Sequence, residues 1–128
     1  MPIPQGFWSE VSDTLAPTYL PRGQTSHPRA SPGLASLSGL HKQARMLLVL
    51  PELDTLAEQS ETWVRKVVAE GRGADLRVER FKGRKHGWTQ MPEGWLDEEE
   101  KRTRVESFAD AVRFTRDMWE GKKMEGKA

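Results

Sequence analysis

The chain has 128 residues, with 20 Lys and Arg against 19 Asp and Glu, a formal net charge of +1, and no cysteine. That balance gives no electrostatic reason to expect nucleic acid or an anionic membrane surface as partner, and the lack of cysteine excludes disulfides and thiolate metal sites. With 36% hydrophobic against 30% charged residues, the composition allows one small domain with a thin core.

Residues 1–41 are rich in proline, glycine and serine, with Pro2, Pro4, Pro17, Pro21, Pro28 and Pro32 spread through them. Proline fixes φ and removes a backbone donor, so this segment reads as irregular, with room for one short helical turn. Its large apolar residues, Phe7, Trp8, Tyr19 and Leu20, read as packing groups rather than ligand contacts. The first eight residues lack the basic start and long apolar stretch of a signal peptide. The longest apolar run, residues 46–50, is far too short to span a bilayer. A soluble, cytoplasmic location is the default expectation.

Residues 42–120 carry the regular elements. The run at residues 45–50 is continuously apolar after Arg45 and bounded by polar residues, as in a strand covered on both faces. Thr55 and Glu58 have the spacing of a capping box at a helix start. Leu56, Ser60, Trp63, Val64, Val67 and Val68 then recur at three- and four-residue intervals as one stripe, and Gly71 and Gly73 supply the stop. Residues 76–81 alternate approximately, Leu76 and Val78 against Arg77 and Glu79, which suits a strand at or near a sheet edge. A second helix is expected over residues 97–119. Val105, Phe108, Val112 and Trp119 are expected along its buried side, and Asp97, Glu98, Glu99 and Glu100 at its start complement the helix dipole. Residues 121–128 read as a flexible tail.

Strand, helix, strand in this order is one βαβ unit, and the intervening length suffices for the crossover that a parallel pair requires. Both strands then end on one side of the sheet, about 4.8 Å apart if adjacent and about twice that if a strand intervenes. Asp54 follows the first strand and His86 the second, so both project from the edge where open α/β sheets bind ligands. An acid followed by a histidine in this order matches the second half of a Ser…Asp…His triad. His86 has the chemistry to take a proton from a hydroxyl and return it to a leaving group, while Asp54 would hold the ring in the useful tautomer. Gly87 lets the loop turn closely, and Trp88 is a candidate wall of the substrate pocket or a packing residue. Taken singly, Asp54 also reads as a helix cap and His86 as a solvated loop residue. His27, His41 and His86 show no metal-ligand spacing, so no metal site is expected.

Three segments in order carry a family resemblance. They are Ser31-Pro32-Gly33-Leu34-Ala35, then Pro51-Glu52-Leu53-Asp54-Thr55-Leu56, then His86-Gly87-Trp88. They resemble the S-P-x-x-A, x-E-x-D-x-L and H-G-[FW] motifs in the carboxyl-terminal third of the hormone-sensitive-lipase-like esterases, the α/β-hydrolase fold-3 family. The resemblance covers about residues 28–119. It implies a βαβα portion of an α/β-hydrolase fold with parallel strands, preceded by the loop-rich segment. It also implies Asp54 as triad acid, His86 as triad base, a small carboxylic ester as substrate, and no cofactor.

Two signatures of that family have no counterpart here, the H-G-G-G oxyanion motif and the G-D-S-A-G nucleophile elbow. No Gly-x-Ser-x-Gly occurs, and none of Ser9, Ser12, Ser26, Ser31, Ser36, Ser38, Ser60 and Ser107 stands in an elbow context. The expectation is an incomplete hydrolase chain, from a split or truncated reading frame or in need of a partner, and nearly inactive alone. The alternative is a non-catalytic protein-interaction module or pseudo-hydrolase fragment. A third reading, nucleic-acid binding through Arg80, Lys82, Arg84 and Lys85 beside Trp88, is disfavoured by the shortness of the patch and the small net charge.

Overall fold

A computed structural model of the chain describes residues 22–122. Phe7, Trp8, Tyr19 and Leu20, and the tail from residue 123, lie outside the described residues. The chain divides into two compact units, residues 1–36 and 37–128. In the first, single 3-10 turns form at Arg22–Gln24 and Pro32–Leu34, and Ser31 Oγ donates to the Thr25 carbonyl at 2.6 Å.

The second unit is a mixed α/β arrangement. After a 3-10 turn at Leu37–Gly39 come strand β1 (Met46–Leu53), helix α1 (Ala57–Ala69), strand β2 (Leu76–Lys85), two short turns and helix α2 (Glu98–Trp119). β1 and β2 are direct neighbours and run parallel, with Met46 opposite Leu76 and Pro51 opposite Phe81. β1 extends past the apolar run through Pro51 and Glu52. A proline is tolerated there because, among the described residues, β1 is paired along one edge only.

One face of the sheet and α1 make the core. Val64, Val67, Leu76 and Leu37 are buried together, with Met46, Leu48, Trp63 and Val78 packed against them. Val67 and Leu76 are completely buried, and each such side chain contributes about 1.5–3 kcal/mol through removal from water. Leu37 joins this core, which is why the break between units falls at residue 36. The expected stripe of α1 is shorter than its spacing suggests, since Leu56 and Val68 are about half exposed.

The capping box expected at Thr55 and Glu58 does not form. α1 starts at Ala57, and its first turn is held instead by Asp54, whose Oδ1 accepts from the Leu56 amide at 2.8 Å and whose carbonyl accepts from the Ala57 amide. Asp54 lies closer to the strand and is already fixed by it, so its carboxylate wins the free amide. A reciprocal capping box is present at the start of α2, between Asp97 and Glu100.

Helix α2 differs most from expectation. Val105, Phe108, Val112 and Trp119, expected along its buried side, are 53–91% exposed. The side turned inward carries Thr103, Arg104, Ser107, Ala111, Phe114 and Met118, of which only Ser107 is fully buried. Polar bonds set this rotation. Arg84 of β2, itself buried, donates to Thr103 Oγ1 at 3.2 Å and pairs with Glu99 at 3.4 Å, while Arg104 donates to the Met91 carbonyl at 3.0 Å. A buried guanidinium without partners costs far more than leaving valines in water.

Arg72 ties the crossover to the approach to β1. Its guanidinium pairs with Asp75 and donates to the carbonyls of His41, Lys42 and Ala44, while Arg45 pairs with the same Asp75 at 2.8 Å. These bonds align the starts of the two strands. The register they set holds as far as Pro51 opposite Phe81 and shifts before the carboxyl ends.

Candidate functional site

The two strands end at Leu53 and Lys85, which face each other in the ladder. Asp54 and His86 are therefore the first residues beyond matching strand ends. His86 Nδ1 lies 2.7 Å from Asp54 Oδ2. The structure brings together the two residues that the motif order singled out.

Their surroundings differ in the way an acid–base pair needs. The Asp54 side chain is only 9% exposed, and both of its oxygens are engaged, Oδ1 by the Leu56 amide and Oδ2 by the imidazole. It can neither rotate away nor exchange freely with water. The His86 side chain is 69% exposed, and with Nδ1 committed to the carboxylate its Nε2 is the nitrogen left to exchange a proton. Gly87, at φ +70°, turns the chain immediately after the histidine. A residue with a Cβ rarely adopts that backbone conformation. Asp54 thus both fixes the turn that leads into α1 and contacts the imidazole.

Trp88 takes the packing alternative. It is 3% exposed, its ring centroid lies 5.2 Å from that of Phe81 at a tilt of 51°, and the Arg84 guanidinium sits 5.8 Å from its centroid. So enclosed, the ring has almost no surface to offer a ligand. It underpins the turn that carries His86.

The two arginines of the basic run beside it are engaged internally, while Lys82 and Lys85 are exposed. Arg80 makes two bonds to the Glu61 carboxylate of α1, at 2.6 and 2.9 Å, and Arg84 is buried against α2. Hydrogen bonding to Arg80 holds the Glu61 carboxyl below the usual carboxylate range, with burial opposing it. Among the described residues no cluster of three or more His, Asp or Glu side chains is placed to hold a metal ion, and no helix is long and apolar enough to cross a membrane.

Two residues near the pair have structural contacts that the sequence reading did not assign to them. Glu52 accepts the Gly83 amide at 2.7 Å, and Arg84 locks the end of β2 to α2. A glycine within a strand pattern marks a bulge or a close backbone approach, so Gly83 was the signal available for the first. Nothing in the sequence marks Arg84 as buried.

A protein-family model described as alpha/beta hydrolase fold matches residues 5–90. The match begins upstream of residue 28, where the motif resemblance starts, and ends after the turn that follows His86. No curated protein and no solved structure matches the chain.

Proposed function

The chain belongs to the α/β-hydrolase fold-3 family, and on that footing we propose that it is the acid-and-base portion of a serine carboxylic-ester hydrolase, esterase- or lipase-like. The observation that carries the reading is the 2.7 Å contact between His86 Nδ1 and the nearly buried Asp54 carboxylate at matching ends of two parallel strands. The substrate is a small ester, and no cofactor takes part.

In this reading Asp54 keeps the proton on His86 Nδ1, so the Nε2 lone pair faces outward as the general base. A serine hydroxyl gives its proton to Nε2 as its oxygen attacks the ester carbonyl. The resulting imidazolium, stabilised by Asp54, then protonates the departing alcohol, leaving an acyl-serine. Water repeats the sequence: it gives a proton to Nε2, attacks the acyl carbon, and the serine oxygen recovers the proton as the acid leaves. The serine and the oxyanion donors come from outside these 128 residues, either from a further segment of the protein or from a partner chain. Without them the acid–base pair has no covalent step to assist.

Treating the purified chain with a fluorophosphonate probe and with short p-nitrophenyl esters tests this directly. The expected outcome is no covalent label and no turnover beyond that of free imidazole. Labelling or turnover abolished by His86→Ala would place an activated nucleophile within the chain and overturn the division of labour proposed.

A second reading, a non-catalytic interaction module, draws on the exposed stripe of Val105, Phe108, Val112 and Trp119 and on the edge of β1 that is unpaired among the described residues. Such surfaces mark contact sites. Binding of an apolar dye with concentration-dependent association supports it, and a monomer that binds no dye removes it.

A further inference from the structure

The ladder between β1 and β2 is regular up to Pro51 opposite Phe81, and the next pair is Leu53 opposite Lys85. β1 advances by two residues over that interval and β2 by four. The two extra residues of β2 form a bulge around Gly83, which takes φ +70° with open space where a Cβ would stand. What the position requires is therefore a left-handed backbone, not room.

The bulge decides whether the acid meets the base. In an unshifted register Leu53 would face Gly83 and Asp54 would face Arg84. His86 would then lie two residues further along, about 6–7 Å at the usual strand rise. The bulge draws those two residues out of the ladder and brings His86 level with Asp54. Within it the Gly83 amide donates to the Glu52 carboxylate at 2.7 Å.

We propose that Glu52 is a positioning residue for the Asp54–His86 pair: by accepting the Gly83 amide it holds the β2 bulge that sets His86 against Asp54. This rests on the reading of Asp54 and His86 as a catalytic acid–base pair. Strand alternation places Glu52 on the same side as Asp54, so one strand end carries both the group that binds the imidazole and the group that aims it. An amide donating to an acceptor anchored on the neighbouring strand is held far more narrowly than one solvated by water.

The tautomer of His86 is the readout, because a purely structural role would leave it unchanged. The other described histidines serve as internal references. His27 and His41 each accept a backbone amide at Nδ1, from Arg29 at 3.2 Å and from Gln43 at 3.1 Å, so their neutral rings carry the proton on Nε2. His86, facing a carboxylate, carries it on Nδ1.

Long-range proton–nitrogen NMR of the full labelled chain, at a pH where the imidazoles are neutral, distinguishes the two forms. Glu52→Gln keeps an acceptor of the same length without charge and is expected to retain the Nδ1–H form. Glu52→Asp keeps the charge but is one methylene too short, and is expected to shift His86 toward Nε2–H with His27 and His41 unmoved. Glu52→Asp leaving His86 unchanged, or both variants behaving alike, overturns the proposal. Asp54→Asn separates this failure from that of the parent reading. Its amide oxygen is retained by the Leu56 amide, so its NH2 group faces the ring and should invert the tautomer. If that variant leaves His86 unmoved, the pair itself is absent and the proposed function falls with it; if it inverts the tautomer while neither Glu52 variant does, only the role of Glu52 falls.

Discussion

Glu79 illustrates how a single side chain records the way the sheet is covered. It alternates with Val78 on β2 and so turns away from α1 toward α2, where its side chain is only 12% exposed. Arg77 reaches within 3.0 Å, but off hydrogen-bond geometry, and neither carboxylate oxygen has a hydrogen-bond partner among the described residues. Burial, followed by the neighbouring Asp110 carboxylate, pushes the Glu79 carboxyl above the usual carboxylate range, partly countered by Arg77. A raised folded-state value means that the folded chain holds its proton where the unfolded chain has lost it. Stability from this group therefore falls as pH rises from the ordinary carboxylate range through the raised value. Glu79→Gln should match the parent in thermal midpoint below that window and exceed it above, as measured by melting curves across pH. A parent and variant that stay parallel throughout would show Glu79 to be solvated. Asp54, unlike Glu79, has a hydrogen-bond partner at each carboxylate oxygen. Its residue type and place after a strand were legible in the sequence, but that one carboxylate serves both the helix and the imidazole is a matter of distance.

At the scale of elements, both strands and both helices were legible, and the rotation of α2 was not. Periodicity finds the apolar stripe Val105, Phe108, Val112 and Trp119, and apolar stripes ordinarily face inward. Here the inward side is set by Arg84 with Thr103 and Glu99, and by Arg104 with the Met91 carbonyl. Hydrophobic pattern alone gives no weight to a buried arginine that must be satisfied. The contrast is open to measurement in the isolated chain. Ser107→Leu forces a large side chain into the one fully buried position of α2 and should cost about 1–3 kcal/mol. Val112→Lys, on the exposed side, should change stability by no more than about 0.5 kcal/mol. Denaturant unfolding of the two variants checks this, and the reverse order would mean that the valine stripe is covered in the isolated chain. The end of β2 was missed for a related reason: Phe81 breaks the alternation, so the strand reads as stopping there although it continues through the bulge to Lys85.

At the scale of the whole molecule, the described part of the second unit has one apolar face of a two-stranded sheet covered by α1, and an apolar helix stripe facing solvent. Parallel sheets are ordinarily buried on both faces and flanked by further strands. The edge of β1 that is unpaired among the described residues and the stripe on α2 are where additional polypeptide would add, whether from the same protein or from another chain. In its absence these surfaces should find each other. Sedimentation velocity of the purified chain is expected to show association that rises with concentration and is weakened by Phe108→Glu, a substitution at a position already 53% exposed and so nearly neutral for folding. A strictly monomeric chain at high concentration would remove the stripe as a contact surface.

By itself the amino-acid sequence determined the local matters: which segments are strands and helices, the order of acid before histidine, and the motifs that mark the family. These depend on neighbours a few residues apart, and periodicity, caps and glycines report them directly. Tertiary structure alone decided that Asp54 and His86 lie 2.7 Å apart, that a two-residue bulge makes this so, and that α2 turns its polar side inward. Each of those rests on a bond between residues some 19 to 32 positions apart in the chain, where the outcome is set by how strand ends and buried charges come to rest against one another.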